Sequence, residues 1–420
     1  MSGGRFDNLF AWMDEPEAIR CLRTPADQLD IPAAQYVAAT RLGAASSEAS
    51  LLALLDAARF RGDDINNRLT RRKALEALGR RRDPRSLALV LKALAADDPA
   101  AVVNAANSVT ALAPLDDTQG AAAVTALCHG LRGPGTQQRA VVQALTRLGA
   151  SEVEARIRSL LGDPDPILDG AVRAYLARVC NARDLLGPVL QRLGDSEPGQ
   201  RRTAVIDLGL AGDPGQLAAV VHTATSMPLR ALAAFPLARQ ALAEHHDPAM
   251  VASRLDSLCS DDPRTLRLLG DPCPEDDSPE ALLRLMLQRD ENAQYGAARR
   301  QLALPRSEQL DLAGRIRADH YSDYGANYLL MRLIGLGRLE QLRDVIGEGL
   351  RETAPQYAKS RIAAAMASAE LDLGEHIPLL RQLSRQSRSD GLRWASAHAL
   401  QRLAGESDPA GRALSLRAAV

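Results

Sequence analysis

Arg71-Arg72-Lys73-Ala74-Leu75-Glu76-Ala77-Leu78-Gly79-Arg80-Arg81-Arg82-Asp83-Pro84 is the clearest copy of a unit that recurs along most of the chain. Apolar residues at Ala74, Leu75, Ala77 and Leu78 have helical spacing. Gly79 reads as a helix stop, taking the left-handed cap that glycine adopts without a Cβ clash. Asp83-Pro84 then reads as a restart, with Asp as N-cap and Pro at the first helical position, where its missing N–H costs nothing.

Copies follow in both directions: Tyr36 to Gly43 with a partner helix from Ser46 to Arg59, then Asn104 to Leu112, Arg139 to Gly149, Val172 to Cys180, Arg202 to Gly209 and Leu229 to Leu242. Leu78-Gly79, Leu148-Gly149 and Leu208-Gly209 keep phase at roughly 30–35 residues per unit. Asp-Pro recurs at 83, 98, 163, 213, 247, 262, 271 and 408. Two helices per unit, a repeated period and no β-rich run predict an all-α, HEAT-repeat α/α solenoid. It is expected to span 1–420 as a single domain, a curved superhelix with a concave binding face. Residues 1–35, with Phe6, Leu9, Phe10 and Met13 on one face and Trp12 nearby, are expected to seal the N-terminal end. An acidic, proline-rich connection is expected at about 259–280, and a C-terminal cap from about 406.

Composition narrows the function. Aromatics are only 3% of the 420 residues, and net charge is −1, which gives no electrostatic case for nucleic acid. Lysine occurs only at Lys73, Lys92 and Lys359, a bias that codon usage accounts for. Cys21, Cys128, Cys180, Cys259 and Cys273 are odd in number, widely spaced and free of any C-x-x-C pair, which argues against metal and disulfides and for a reducing, cytoplasmic setting. No run approaches the ~20 apolar residues of a membrane span. Nucleotide-binding and nucleophile-elbow glycine motifs are missing in a supporting context. No histidine is followed by glutamate, which excludes the paired His-Glu di-iron chemistry known on HEAT scaffolds.

Three stretches stand out as polar or aromatic exceptions. In Asp63 to Arg82, with Arg85 just beyond, arginines outnumber acids; Arg68, Arg71 and Arg72 crowd the start of a helix and suit carboxylates or phosphates, whereas Arg80 to Arg82 fit a helix C-terminus. Asp319-His320-Tyr321-Ser322-Asp323-Tyr324-Gly325-Ala326-Asn327-Tyr328 holds three of the seven tyrosines with two carboxylates and a histidine. Ser322 is the expected cap of a helix from about Asp323 to Leu333. Asp319, His320, Tyr321, Asp323 and Tyr324 are candidate proton donors and acceptors, and Tyr328 offers a face for a conjugated ligand. Trp394, one turn before His398 and placed near Tyr357 and Lys359, is the third.

The linked segments Tyr36-Val37-Ala38-Ala39-Thr40-Arg41-Leu42-Gly43 and Arg68-Leu69-Thr70-Arg71-Arg72-Lys73-Ala74-Leu75-Glu76-Ala77-Leu78-Gly79-Arg80-Arg81 resemble the opening units of the E/F-type HEAT-repeat phycobilin lyases. The look is closest to the long, phycoerythrin-specific lyases and lyase-isomerases of marine cyanobacteria. The similarity is strong over roughly residues 5–115 and thinner beyond. It implies a cytoplasmic enzyme of phycobilisome assembly that binds a linear tetrapyrrole, phycoerythrobilin, as substrate with no cofactor. It also implies docking of an apo-phycoerythrin subunit, α by expectation, whose cysteine adds to the bilin's A-ring ethylidene; the lyase-isomerases also convert the attached pigment to phycourobilin. On this resemblance Arg68, Arg71 and Arg72 would meet the propionates, Asp319 or Asp323 the pyrrole N–H groups, and His320, Tyr321 and Tyr324 the transferred protons, with Tyr328 and Trp394 against the pigment. A non-catalytic HEAT scaffold or chaperone, or a bilin carrier, is the alternative.

Overall fold

The computed structural model describes residues 13–59, 62, 64–270, 278–405 and 408–416. Phe6, Leu9, Phe10, Trp12, Asp63, Cys273, Asp276 and Asp277 lie outside the described residues. The described residues form twenty-four α-helices and no strand, with one isolated bridge between Thr223 and Arg267. The all-α, HEAT-type repeat is borne out. Among the described residues no helix is long and apolar enough to cross a membrane. The chain divides into two compact units, Met1–Ala182 and Arg183–Val420.

Unit 1 contains α1 (Glu15–Arg23), α2 (Ala34–Leu42), α3 (Glu48–Ala57), α4 (Ile65–Arg81), α5 (Leu87–Ala93), α6 (Pro99–Ala111), α7 (Asp117–Gly130), α8 (Gly135–Leu148), α9 (Glu154–Arg158) and α10 (Pro166–Val179). The even helices α2, α4, α6, α8 and α10 stack directly on one another, and α3, α5, α7 and α9 each lean on the helix that follows. Alanine and leucine fill the seam: Ala74, Leu75, Ala77 and Leu78 are fully buried, as are Ala105, Ala106 and Val109 on the next stacked helix.

Gly79 does not stop its helix. α4 continues to Arg81, and Arg82 takes the left-handed position at φ 56°. Gly79 is instead a point of close approach: a Cβ there would lie 2.5 Å from Ser108 Oγ and 2.9 Å from Ser108 Cα on α6. Ser108 Oγ then donates to Leu75 O at 2.9 Å. Gly149 does act as the expected left-handed stop, at φ 67°. The Asp-Pro signal holds at Asp83, Asp98, Asp213, Asp247 and Asp408, each of which caps a helix or a 3-10 turn.

Unit 2 contains α11 (Gly187–Gln191), α12 (Pro198–Ala211), α13 (Leu217–Val221), α14 (Met227–Ala243), α15 (Pro248–Ser260), α16 (Pro279–Met286), α17 (Glu291–Gln301), α18 (Arg306–Asp319), α19 (Tyr324–Leu336), α20 (Arg343–Arg351), α21 (Ala358–Glu370), α22 (Ile377–Gln386), α23 (Asp390–Leu403) and α24 (Pro409–Leu414). α12 and α14 stack, as do α19, α21 and α23. The acidic, proline-rich connection expected at about 259–280 lies partly outside the described residues; beyond it the chain folds back on itself, which the periodicity does not reveal. α15 packs against α21, α23 and α24. Arg239 on α14 pairs with Asp390 at 2.7 Å, and Arg202 on α12 pairs with Glu291 at 2.8 Å. Within the expected C-terminal cap, α24 is a packed element: Ala413 is buried and Arg412 donates to Asp256 at 2.7 Å.

Asp98 shows what ties the stacked helices together. It caps α6 through Ala100 N and Ala101 N, and it receives Arg72 at 2.7–3.1 Å and Arg71 at 3.2 Å from α4. Burial raises its pKa, but Arg72, the Ala101 N–H and Arg71 outweigh this and hold the carboxyl below the usual carboxylate range. Because the folded pKa is depressed, the stabilisation is fully present above the unfolded carboxylate value and is lost as pH falls through the folded one. Asp98→Asn keeps an N-cap of similar quality and removes the charge. It should lower stability at pH 7 by about 1.5–3 kcal/mol, with the gap to wild type closing in urea melts taken to progressively lower pH.

Candidate functional site

In unit 1 the segments that carry the family resemblance also expose apolar surface. Tyr36 on α2 and Leu69 on α4 are 41% and 38% exposed, and Ile31 and Ile65 are more so. Between α2 and α4 lies a groove of about 620 Å³ lined by Pro32, Tyr36, Val37, Thr40 and Leu69, with Arg41 at its edge. A more polar cavity of about 520 Å³ shares Pro32 and Asn66 with it. These volumes fall within the about 300–1,000 Å³ typical of small-molecule sites. Lys73 Nζ sits 4.8 Å from the Tyr36 ring centroid and pairs with Glu76 at 2.7 Å.

The three arginines proposed for pigment carboxylates separate here. Arg68 is exposed and has no side-chain partner among the described residues. Arg71 and Arg72 are held by Asp98, so the assignment of these two to propionates is corrected: their forks join successive repeats. Arg81 likewise staples the turn after α2, donating to Ala45 O at 2.6 Å, Ser47 O at 3.0 Å and Ser50 Oγ at 2.7 Å.

In unit 2 the 319–328 stretch forms the turn between α18 and α19. Asp319 ends α18 and is exposed; His320 is its C-cap. The helix cap is Asp323, one residue later than Ser322, with Oδ1 accepting from Gly325 N at 2.8 Å and Ala326 N at 2.9 Å. One oxygen of Asp323 therefore serves the backbone, which weakens its case as a proton-transfer group. Asn327 Nδ2 closes the turn onto Tyr321 O at 3.1 Å. Tyr321 donates to Glu348 at 3.3 Å, and burial together with that carboxylate raises its pKa. The Tyr324 hydroxyl is shielded from solvent and has no partner among the described residues, and its ring meets Tyr357 edge-on at 5.1 Å between centroids. Lys359 Nζ lies 5.2 Å from the Tyr328 ring centroid. The structure thus brings Tyr357 and Lys359 to Tyr324 and Tyr328, and not to Trp394 as the sequence spacing suggested.

Tyr328 and Trp394 are core residues, and their assignment to pigment binding is corrected. Trp394 is 3% exposed; its Nε1 donates to Asp256 at 2.9 Å, Phe235 meets it edge-on, and the Arg412 guanidinium lies 4.6 Å from its ring. Tyr328 is 4% exposed and donates to Asp261. Asp261, at φ 45° after α15, also accepts from Tyr295 at 2.8 Å and from the fully buried Arg230, which in turn donates to Thr225 O at 2.9 Å. Burial and the Asp261 charge push the Tyr295 and Tyr328 hydroxyls well above their ordinary range, so both stay protonated as donors. Sequence pattern marked none of Arg230, Asp261 and Tyr295, because their separation along the chain hides a cluster that only the fold assembles.

No protein-family model matches the chain. It is 26% identical over 407 residues, 96% of its length and 95% of the relative's, to the uncharacterized phycocyanin operon protein Y of Pseudanabaena tenuis (strain PCC 7409). Among solved structures it is similar to the complex of CpcE and CpcF of phycocyanin lyase from Nostoc sp. PCC7120, with TM-score 0.49 and 22% identity, covering 58% of this chain and 94% of that one. It is also similar to a homology model of the full-length AP-3 complex, with TM-score 0.37 and 11% identity, covering 96% of this chain and 88% of that one. Both structural likenesses are too distant to bear on function. The similarity to the operon protein runs along nearly the whole of both chains.

Removing the Asp261 charge while keeping a residue that tolerates the left-handed backbone isolates the ionic part of the buried cluster. Asp261→Asn leaves the Arg230 guanidinium buried without its counter-ion and should cost about 3–5 kcal/mol, read as a lowered midpoint in chemical unfolding.

Proposed function

We propose that the protein is a bilin lyase that joins a linear tetrapyrrole to a cysteine of a phycobiliprotein subunit. The observation that carries this reading is the similarity along nearly the whole chain to a phycocyanin operon protein. The substrate cysteine supplies the nucleophile. Its sulfur bonds to the ethylidene carbon and its proton ends on the pigment skeleton, so the addition is redox-neutral. No cysteine of the lyase is needed.

The Tyr36–Leu69 groove supports this reading as a pigment seat: it is apolar and of ligand size, and its lining residue Leu69 is the chain neighbour of Arg68, which has no side-chain partner among the described residues. Asp319, His320, Tyr321 and Tyr324 of unit 2 are the proton donors and acceptors the family resemblance suggests, an assignment separate from that of the unit 1 groove. The finer reading rests on the family resemblance: phycoerythrobilin as pigment, a phycoerythrin α-subunit as acceptor, and isomerisation to phycourobilin, in which one proton leaves a pigment carbon and another is delivered elsewhere. The relative's name makes phycocyanin subunits the second acceptor class to test.

The test is co-expression of the full chain with phycoerythrobilin synthesis and each apo-subunit, followed by denaturing electrophoresis and absorbance. Covalent colour on a subunit is the expected result. A peak blue-shifted from phycoerythrobilin identifies attachment with isomerisation, whereas the unshifted peak overturns the isomerase part alone. Colourless subunits beside an active control lyase overturn the lyase reading and favour a scaffold or carrier. Tyr36→Ala, which removes one aromatic wall from the groove, should weaken non-covalent pigment binding about 2- to 10-fold in a fluorescence titration.

A further inference from the structure

The polar cavity beside the Tyr36–Leu69 groove has no role in the reading so far. It holds about 520 Å³ between the end of α1, the 3-10 turn Ala26–Gln28 and the starts of α2 and α4. It shares Pro32 and Asn66 with the groove, and both lie wholly within unit 1. The same two helices serve both spaces. Successive residues of a helix point about 100° apart, and α2 gives Gln35 to the polar cavity and Tyr36 to the groove. On α4, Asn67 lines the cavity and Leu69 the groove.

Gln35 is the observation that points to a ligand. Only 2% of it is exposed. Its Nε2 donates to Thr24 O at 2.7 Å, which fixes the sense of the amide, because turning it over would set two acceptor oxygens against each other. Oε1 is thereby left shielded from solvent with no partner among the described residues. A buried amide oxygen without a donor costs stability until something donates to it.

The charged groups of the lining sort into engaged and open ones. Asp64 is spent on α4: Oδ1 accepts from Asn66 N and Asn67 N, both at 3.0 Å, and Oδ2 accepts from Asn67 Nδ2. Arg23 and Asp27 are exposed, and neither side chain has a partner among the described residues. The cavity thus offers acceptors to N–H groups at Gln35 and Asp27, and a guanidinium to an acid at Arg23. The groove next to it offers apolar walls. A ligand suited to both is flat and apolar over most of its body and carries N–H groups and a carboxylate.

We propose that groove and cavity form one bipartite pigment site. The tetrapyrrole rings lie in the groove, a pyrrole or lactam N–H donates to Gln35 Oε1, and a propionate meets Arg23. The proposal rests on the lyase reading and moves recognition of the pigment's N–H and acid groups into unit 1. Gln35 and Arg23 bind and orient; they take no part in bond making.

The test is titration of the full-length chain with biliverdin and, separately, with biliverdin dimethyl ester, followed by pigment absorbance. Wild type should bind the acid about 2- to 5-fold more tightly than the ester, and Arg23→Gln, at an exposed position, should abolish that lead without moving the melting curve. Gln35→Met keeps the volume and removes the oxygen. It should weaken both ligands about 2- to 10-fold and leave the acid's lead intact, whereas a cavity that had merely collapsed would lose the lead as well. A lead that survives Arg23→Gln, or unchanged binding in Gln35→Met, overturns the bipartite site. If those two variants bind as wild type does while Tyr36→Ala weakens binding, the groove and the lyase reading stand and only the polar half falls. If wild type binds neither ligand, the pigment seat falls and this proposal with it.

Discussion

How closely two stacked helices can cross governs most of this molecule. At Gly79 the α4 backbone reaches α6 so nearly that a Cβ would meet Ser108; at Gly209 it would lie 2.8 Å from Ala233 Cα, and at Gly335 2.9 Å from Ala367 Cα. These contacts require a hydrogen on one helix and a small side chain on the other. The alanine-rich, aromatic-poor composition follows from that requirement, because large side chains in the seam would push the helices apart. The repeat is then a sequence of near contacts between backbones, stabilised by many small apolar groups.

That constraint explains what was legible in the sequence and what was not. The helix content, the period and the Asp-Pro caps are local signals, and Asp98 and Asp247 cap their helices as the residues alone suggest. The role of Gly79 was misassigned because a glycine at a helix end and a glycine at a helix crossing look the same in one dimension. Gly149 is the first kind and Gly79 the second. The folding back of unit 2 left no trace in the periodicity. Arg239 with Asp390, or Trp394 with Asp256, joins positions far apart whose partners have no local reason to be paired. The same holds for the candidate sites: the 319–328 cluster was visible because its residues are adjacent, whereas Lys359 needed the fold to bring α21 against α19.

The arginine bias acquires a structural reason as well. A stacked array must bridge one helix to the cap of the next, where a carboxylate and carbonyls lie side by side. Arg72 takes both oxygens of Asp98; Arg201 takes Asp195 O at 2.9 Å, Ser196 O at 3.0 Å and Asp290; Arg332 reaches Glu370 at 3.2 Å and Ala363 O at 3.3 Å. A planar guanidinium with five donors bridges such groups, and a single ammonium does not. Most arginines that look like candidate anion sites in the sequence are therefore internal fasteners. Arg68 differs: among the described residues its side chain has no partner.

Lysine, by contrast, is kept for other surroundings. Lys73 and Lys359 each lie over a tyrosine ring, at 4.8 and 5.2 Å, but their electrostatic settings are opposite. Lys73 has Glu76 at 2.7 Å, and its contacts with Glu76 and Tyr36 overcome burial. Lys359 lies among acids that the arginine ties and a helix cap have already claimed, so burial prevails. The fasteners and the amine are thus coupled: Arg230 and Arg202 hold Asp261 and Glu291 within unit 2, and Lys359 is left without an ion pair among the described residues. The contacts that stabilise unit 2 therefore also decide which carboxylates are left for Lys359.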